Sequence, residues 1–296
     1  MRHGRQFETV TGDFLDAKYL GTAESGTQEW HDLRSQGIGG SDIGTIMGLN
    51  PWESAFGLWA KRTGQIPDPP VDNWAVRFGN AFEQPILHLW ADANPDWDVL
   101  ILGTYRHPKF DYMLANPDAI AVNRETGEHI ILEVKTARSY WDEVPPAYHS
   151  QVMHYMDVFN LQRSYIIGVA GWDWQEHEIL RDDFEVEVQR NEAKRFWDHL
   201  QAHVQPAWDG SKATYEAVRQ LHPDMVDSEV DLGDLGSKLL AAQDDVNSAT
   251  HELNSLKSQV LDRMGSAKYG VLDGKRIVSK QARGNGVPWL TIKKGR

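Results

Sequence analysis

The sequence predicts an α/β (α+β) protein in which helices flank a small mixed β-sheet, followed by a long helix and a β-hairpin. Two features predict the sheet. Stretches rich in Ile, Val, Leu and Ala surround a turn-like segment at residues 123–128, and further apolar segments of strand length follow near residues 164 and 176. A heptad pattern over residues 232–260 predicts the long helix. Helices that cover a small sheet are the expected layering for this order of elements.

The first 110 residues are predicted to be mainly helical, because helix-start signals and apolar residues at helical spacing recur through them. Ser41 is predicted to cap the first helix, and Pro85 to make the last one locally irregular. The predicted elements are a helix over 42–47, a helix from Pro51 and Trp52 to Arg62, a loop over 67–70 and a helix over 75–92.

Residues 112–122 and 129–137 are predicted to form a β-hairpin. If its turn centres on residues 125 and 126, paired positions sum to 251, and Asp118 lies directly across from Glu133. Facing side chains in an antiparallel pair have Cβ atoms roughly 4.5–5.5 Å apart, which is close enough for both carboxylates to bind one divalent cation. Strand alternation then places Lys135 beside Glu133 on the same face.

After the hairpin, the spacing of apolar residues predicts alternating helices and strands. The long helix near the C-terminus has apolar residues at alternating intervals of three and four, which predicts a coiled-coil seam that pairs with another subunit or folds back on its own chain. Beyond it, Asp273–Gly274 favours the type I′ turn of a hairpin. The predicted elements are helices over 147–159, 184–204 and 232–260, and strands over 164–170, 176–180, 269–272 and 275–280.

These elements predict four parts in the chain: an N-terminal segment (1–27), a main domain (28–210), a linker (211–228) and an appendage of long helix and basic hairpin (229–296). The net charge of −13 is unevenly distributed, because residues 265–296 carry eight basic residues and one acid, whereas the other 264 residues carry −20. Such a basic tail is suited either to hold DNA or to remain a solvated terminus.

Composition excludes several classes of site. The chain has no cysteine, so disulfides, thiolate catalysis and cysteine-based metal clusters are excluded. Its twelve histidines include no HExxH pairing, which disfavours a histidine zinc site. No apolar run reaches the length of a membrane span, and residues 1–27 lack the apolar segment of a signal peptide, so we expect a cytoplasmic protein without a membrane partner.

Asp118, Glu133 and Lys135 supply the groups that metal-dependent cutting of a phosphodiester requires. Carboxylate oxygens bind divalent cations, and the Val134 carbonyl is a further oxygen ligand at this position. Lys135 is suited to orient or deprotonate the attacking water, or to neutralise charge on the phosphate. The alternative is a solvated surface on which opposite charges pair, and these residues alone do not decide between the two.

Arg34, Ser41 and the glycines at 37, 39 and 40 form a second group. Glycines allow the backbone to approach an anion, Ser41 supplies a hydroxyl, and the start of the predicted helix presents unpaired N–H groups. Arg34 can bind a phosphate with two parallel hydrogen bonds. A capped helix after a glycine-rich turn is the alternative. Trp52, close to this loop, is the tryptophan expected to stack on a base or wedge between bases.

Several segments, in this order, resemble the YqaJ-type viral recombinase family, to which lambda exonuclease belongs, among the PD-(D/E)xK nucleases. The resemblance covers residues 28–205, and ordered motifs are more specific than any single one. It implies the restriction-endonuclease-like core of that superfamily. The segments are Trp30–Arg34, Gly37–Gly44, Phe78–Glu83, Asn116–Asp118, Leu132–Lys135 and Gln151–Tyr155.

The resemblance implies a deoxyribonuclease that requires Mg²⁺, for which Mn²⁺ can substitute. In this family, residues at the positions of Asp118, Glu133, Glu83 and the Val134 carbonyl hold the metal. Gln151 matches a polar residue that contacts water or substrate.

The resemblance also assigns Arg34, Ser41 and Asn116 to a pocket for the 5′-phosphate of a DNA end. Digestion would therefore begin at a duplex end and proceed 5′ to 3′ without release of the strand. Asn116 stands where the lambda enzyme has Ser, although an amide can still donate a hydrogen bond to phosphate.

The implied setting is phage recombination in a bacterial host. The implied partners are double-stranded DNA ends and a single-strand annealing recombinase, and the implied assembly is a homotrimeric ring. Two other functions are compatible with the same residues: a structure- or sequence-directed DNA endonuclease on the same fold, and a DNA-binding or assembly module without catalysis.

Overall fold

The structure is a computed structural model that describes residues 6–68, 73–284 and 286–293. The chain divides into two compact units, unit 1 (Met1–Asp224) and unit 2 (Met225–Arg296). Residues 69 and 70 of the loop expected at 67–70, and Lys294 and Arg296 of the basic tail, lie outside the described residues. Across the described ranges, no helix is both long enough and apolar enough to cross a membrane.

Unit 1 contains a mixture of helices and strands. Their bounds in chain order are β1 (Glu8–Thr9), β2 (Lys18–Gly21), α1 (Gln28–Ser35), α2 (Gly40–Ile46), α3 (Ala55–Arg62), α4 (Trp74–Ala93), β3 (Trp97–Ile101), β4 (Thr104–Arg106), β5 (Leu114–Ala115), β6 (Ala119–Asn123), β7 (His129–Ala137), α5 (Pro146–Val158), β8 (Arg163–Ala170), β9 (Asp173–Leu180), α6 (Asp183–Gln201) and α7 (Lys212–Leu221).

The main sheet has the strand order β1-β3-β6-β7-β8-β9. Strand β6 runs antiparallel to both of its neighbours, β3 and β7. Strands β7 and β8 run parallel, and β9 returns antiparallel to β8. Helix α5 connects the parallel pair, as a parallel connection requires. A small second sheet consists of β2, β4 and β5. The predicted class, a mixed sheet flanked by helices, is confirmed.

Helices cover both faces of the main sheet. On one face, Ile86, Leu87 and Trp90 of α4 pack against Ile130 and Leu132. On the other face, the larger core gathers the inward side chains of α2, α3, α5 and α6 against alternate residues of β6, β7 and β8. Every residue of α5 from Ser150 to Val158 is buried. Helix α5 is therefore a central element of the core, and its position matters for the site described below.

Two predicted helix starts were wrong. Helix α2 begins at Gly40, so Ser41 lies inside its first turn, and the Asp42 carboxylate accepts the backbone N–H of Gly39 at 2.9 Å in the capping position. Helix α3 begins at Ala55, where the Ser54 hydroxyl accepts the N–H of Gly57 at 3.1 Å. In α3 the side chain of the N-cap residue thus accepts an N–H group of the first turn, whereas in α2 a carboxylate of the first turn accepts the N–H of the N-cap residue itself.

The strand predicted over residues 112–122 is interrupted. Residues 114–115 pair with β4 in the small sheet, and β6 begins only at Ala119. Pro117 lies between them and has no N–H to contribute to a ladder, which explains the break. The N-terminal part of the chain also contains strands that were not predicted, and β1 and β2 incorporate segment 1–27 into unit 1.

The segment predicted as a linker, residues 211–228, contains helix α7. The Ser211 hydroxyl caps this helix by accepting the N–H of Thr214 at 3.1 Å. Its buried residues, Thr214 and Ala217, face α3, where Gly57 permits close approach. A strongly amphipathic ten-residue helix explains why this stretch packs rather than linking two parts loosely.

Unit 2 contains α8 (Gly233–Met264), β10 (Tyr269–Leu272), β11 (Lys275–Gln281) and β12 (Trp289–Ile292). No described residue of α8 is buried. The predicted hairpin is present, with positive φ at both Asp273 and Gly274, as a type I′ turn requires. Strand β12 extends this hairpin to a three-stranded antiparallel sheet, which the sequence pattern did not predict.

Candidate active site

The register of β6 and β7 brings Asp118 next to Glu133. The pairs observed are Ala119–Leu132, Ile120–Ile131, Ala121–Ile130 and Val122–His129, so the predicted sum of 251 is confirmed for the ladder. Asp118 directly precedes β6, and its carboxylate accepts the backbone N–H of Val134 at 2.7 Å. The two acids therefore lie side by side at the end of the hairpin that is remote from its turn.

Glu133 is almost completely buried, with 1% of its surface exposed. Its Oε1 atom accepts two hydrogen bonds of 2.6 Å, one from Lys135 Nζ and one from Gln151 Nε2 of α5. Its Oε2 atom is also buried but has no hydrogen-bond partner among the described residues. An unsatisfied buried carboxylate oxygen is costly, so a cation bound beside it would stabilise the folded protein.

The charges of this site act on one another. Burial first, and then the nearby carboxylates of Glu133 and Glu83, raise the pKa of Asp118 well above its usual range. Burial and Glu133 likewise raise the pKa of Glu83. For Lys135, burial lowers the pKa, but Glu133 and Asp118 more than offset this effect, so the pKa lies above its usual value. Three acids thus share one site with one ammonium group, and negative charge is in excess.

All nine residues predicted for the site line one open cleft of about 810 Å³. Glu83 comes to it from α4, Asn116 and Asp118 from the segment before β6, and the others from β7, α5, α1 and α2. The nine residues are Arg34, Ser41, Glu83, Asn116, Asp118, Glu133, Val134, Lys135 and Gln151.

The second group of residues lies in the same cleft. The Arg34 guanidinium donates a 2.6 Å hydrogen bond to the Ser41 hydroxyl and lies 4.5 Å from the centre of the Trp30 ring. Asp42 lies 3.4 Å from Arg34, but its other oxygen pairs with Arg62 at 2.6 Å. One buried carboxylate is therefore shared between two guanidinium groups, which leaves net positive charge at this end of the cleft.

Two of the glycines near Arg34, Gly37 and Gly40, have a steric role. A Cβ atom on Gly40 would lie 2.4 Å from the Tyr155 ring, and one on Gly37 would lie 2.7 Å from the Tyr112 carbonyl oxygen. Both positions require glycine because α2 packs tightly against α5 and the neighbouring loop. The N–H of Gly39 is already bound by Asp42, so it is not available to an anion.

Two aromatic residues of the cleft, Tyr155 and Trp30, were not among the site residues predicted from the sequence. The Tyr155 hydroxyl accepts a 3.0 Å hydrogen bond from Gln151, and Trp30 supports Arg34. In both pairs the partners are four residues apart on one helix, and this spacing was the available signal. Trp52 lines a different cleft beside α7 and not this one, so its stacking on a base stays a prediction.

The donor set fits a divalent cation. Within the described part of the chain, no three His, Asp or Glu side chains are grouped closely enough to hold an ion by themselves. The set is instead two adjacent carboxylates, Asp118 and Glu133, with the Val134 carbonyl, and these are hard oxygen donors of the kind that Mg²⁺ prefers. The free Oε2 atom of Glu133 and the excess negative charge both favour a cation at this position.

Comparison with known proteins finds similar sequences and a similar fold. Residues 29–162 match the model of the YqaJ-like viral recombinase domain. The uncharacterized protein YqaJ of Bacillus subtilis is 28% identical over 288 residues, which are 92% of this chain and 88% of YqaJ.

Among solved structures, an alkaline exonuclease (LHK-Exo) of Laribacter hongkongensis superposes with a TM-score of 0.52 at 18% identity. The match covers 60% of this chain and 94% of that enzyme, and LHK-Exo in complex with dAMP matches equally well. At this identity the likeness is one of fold.

Proposed function

We propose that this protein hydrolyses phosphodiester bonds of DNA in the cleft, with Mg²⁺ as cofactor and Mn²⁺ as a substitute. The match of residues 29–162 to the model of the YqaJ-like viral recombinase domain supports this proposal. One observation carries the proposal. Glu133 has one oxygen held by Lys135 and Gln151, and its other oxygen is buried without a hydrogen-bond partner among the described residues. This is the arrangement that an acid needs if it is to be held rigidly and still bind a cation.

Asp118, Glu133 and the Val134 carbonyl would hold the cation, and Glu83 would contribute to a second one. When bound, a divalent cation neutralises the phosphate and lowers the pKa of the attacking water. The protein fixes the positions of the carboxylates through backbone and side-chain hydrogen bonds. Asp118 accepts a hydrogen bond from the backbone N–H of Val134, and Glu133 accepts one from the side-chain amide of Gln151.

Lys135 and Gln151 would act beside the reacting phosphate. The Lys135 ammonium is held by Glu133 and lies 5.1 Å from the centre of the Tyr148 ring, so it is fixed at the floor of the cleft. There it would orient the attacking water and offset charge that develops on the phosphate. Gln151 holds Glu133 in position and would contact water or the DNA backbone.

The activity we propose is that of a processive 5′-to-3′ exonuclease on duplex ends. Arg34, Ser41 and Asn116 would bind the 5′-phosphate, because they lie in the same cleft as the acids and Arg34 has only part of the Asp42 charge as compensation. Trp30 stacks on Arg34 and would limit its motion. A guanidinium held in this way is suited to bind a phosphate with two hydrogen bonds.

The proposed setting is phage recombination in the cytoplasm of a bacterial host, beside a single-strand annealing recombinase. A homo-oligomer, a trimer by resemblance, is proposed for the chain. The exposed apolar seam of α8 supports self-association, because a long helix with no buried residue gains stability when its apolar stripe is covered.

The test is digestion of a linear duplex that carries either 5′-phosphate or 5′-hydroxyl ends, with Mg²⁺ present. We expect Lys135→Met to abolish digestion of both substrates and Arg34→Gln to slow only the 5′-phosphorylated one, so that its preference is lost. Lys61→Met is the matched control, since Lys61 also forms a 2.6 Å ion pair with a glutamate, and the Lys61 and Lys135 side chains are similarly exposed, at 27% and 21%.

Other outcomes would contradict the proposal. Rapid cutting of covalently closed circular DNA would indicate an endonuclease, which needs no terminal phosphate. DNA binding without turnover at any Mg²⁺ or Mn²⁺ concentration would indicate a non-catalytic module.

A further inference from the structure

One face of the three-stranded sheet in unit 2 combines aromatic and basic side chains. Ser279 of the central strand β11 pairs with Tyr269 of β10 and with Thr291 of β12. Gln281 of β11 pairs with Trp289 of β12. Directly paired residues point to the same face, and so do alternate residues along a strand. Tyr269 and Trp289 therefore lie on one face, on the two outer strands, with small polar residues between them.

This aromatic face is open to solvent. The opposite face carries Val278, which is buried, and Gly270, where an added Cβ would lie 3.4 Å from the sulfur of Met264 in α8. Unit 2 thus packs its small core on that side. Tyr269 and Trp289 remain 42% and 45% exposed on the other.

The basic groups of this sheet have no carboxylate partner in the part of the chain that the structure describes. The Arg276 guanidinium lies 4.1 Å and the Lys268 ammonium 5.5 Å from the centre of the Tyr269 ring. The backbone N–H of Lys293 bonds to the Ile277 carbonyl, which continues the β11–β12 ladder and places Lys293 on the aromatic face. Among the described residues, none of the basic side chains after Gly265 forms an ion pair with a carboxylate.

We propose that this face binds single-stranded DNA, with Tyr269 and Trp289 stacked on bases and with Arg276 and Lys293 against the phosphates. Uncompensated cations beside exposed rings are the composition of surfaces that bind single strands without sequence preference. Bases inside a duplex are stacked on one another and cannot meet two separate rings, so a single strand is favoured. The overall charge of −13 would otherwise repel DNA, which makes this local reversal of charge more significant.

A single strand remains when the opposite strand of a duplex is digested. Only this source of the single strand depends on the proposed function. Binding to the sheet does not depend on it, because binding needs no metal and no hydrolysis. The two proposals can therefore fail separately.

The test is the affinity of the full chain for a fluorescent 30-nucleotide oligo(dT), measured by anisotropy in EDTA so that no hydrolysis takes place. We expect Trp289→Ala and Tyr269→Leu each to weaken binding about five-fold or more, since stacking contributes on the order of 1–3 kcal/mol per base. Arg276→Gln should lower the slope of log affinity against log salt by about 0.7, the value for one phosphate contact on a single strand.

The matched control is Ile292→Ala, which changes an apolar residue of β12 with 46% exposure on the opposite face. We expect it to bind oligo(dT) like the unmodified chain. Unchanged affinity in all three variants of the aromatic face would overturn the proposal. Equal losses for oligo(dT) and for a duplex with hairpin-closed ends would also overturn it, because the face would then not select single strands. A far-UV spectrum and a melting curve for each variant exclude loss of folding as the cause.

Discussion

Gln151 Nε2 donates a 2.6 Å hydrogen bond to Glu133 Oε1 and a 3.0 Å hydrogen bond to the Tyr155 hydroxyl. Helix α5 thereby determines the orientation of a carboxylate that belongs to strand β7. Since Lys135 binds the same oxygen, the Oε2 atom is left for a ligand.

We expect Gln151→Leu to reduce the rate of DNA digestion by about 10–100-fold, because a ligand that loses its supporting hydrogen bond no longer holds its orientation. Rates at saturating Mg²⁺ on a linear duplex provide the measurement. Gln189→Leu is the control, since Gln189 is also buried and donates a single 3.1 Å bond to Glu185, outside the cleft. Equal rates in the two variants would mean that Gln151 only contributes to packing.

We expect Mg²⁺ to raise the melting temperature of the metal-free chain in the absence of DNA. A cation offsets the repulsion among Asp118, Glu133 and Glu83, and a ligand at 100 times its Kd stabilises the folded state by about 2.7 kcal/mol. Asp118→Asn should remove most of this shift, whereas Asp244→Asn, on the exposed surface of α8, should retain it. A Mg²⁺ shift of the same size in Asp118→Asn would show that the ion binds elsewhere.

We expect His107 to make unit 1 less stable as the pH falls from about 6.5 to about 4. Burial lowers the pKa of His107 to about 4, Arg190 and His154 reinforce the shift, and Asp157 opposes it. The folded state holds the neutral ring, whereas the unfolded chain binds a proton below about pH 6.5. The contribution of His107 to the free energy of unfolding is therefore fully present above about pH 6.5 and is lost as the pH falls toward about 4. The expected loss is roughly 1–3 kcal/mol.

The measurement for His107 is the urea-unfolding free energy at pH 7 and pH 4.5 for the unmodified chain and for His107→Asn. The ring nitrogen accepts the N–H groups of Lys109 and Phe110 at 2.9 and 3.2 Å, and an Asn carbonyl can replace that acceptor without titrating. A smaller pH dependence in the variant is the expected result. The same pH dependence in both chains would assign the effect to other groups.

We expect Leu239→Asp to lower the molar mass of the protein in solution, measured by light scattering after gel filtration. Leu239 lies on the apolar seam of α8, and a charge there opposes pairing with a second copy. Leu240→Asp should leave the mass unchanged, because Leu240 lies off the seam, although it is equally exposed at 69% against 63%. Equal masses for the two variants would argue against a self-associating seam.

The hairpin and its register could be predicted from the sequence because they depend on local chemistry. A turn of six residues with a glycine at positive φ fixes which residues pair, and alternation then decides which side chains share a face. The proximity of Asp118, Glu133 and Lys135 to one another follows from that register alone. Helices α4, α5 and α6 were predicted within a few residues for the same reason, since their apolar spacing is regular.

The amino-acid sequence therefore encodes the set of chemical groups and the register that joins two of them. How these groups are used depends on contacts between distant segments of the folded chain. Arg62 pairs with Asp42 across 20 residues, Gln151 reaches Glu133 across 18, and Gly40 must be glycine because Tyr155 packs against it. These contacts arise when helices pack on a sheet, and no spacing along the chain encodes them, because packing brings together residues whose separation in sequence is arbitrary.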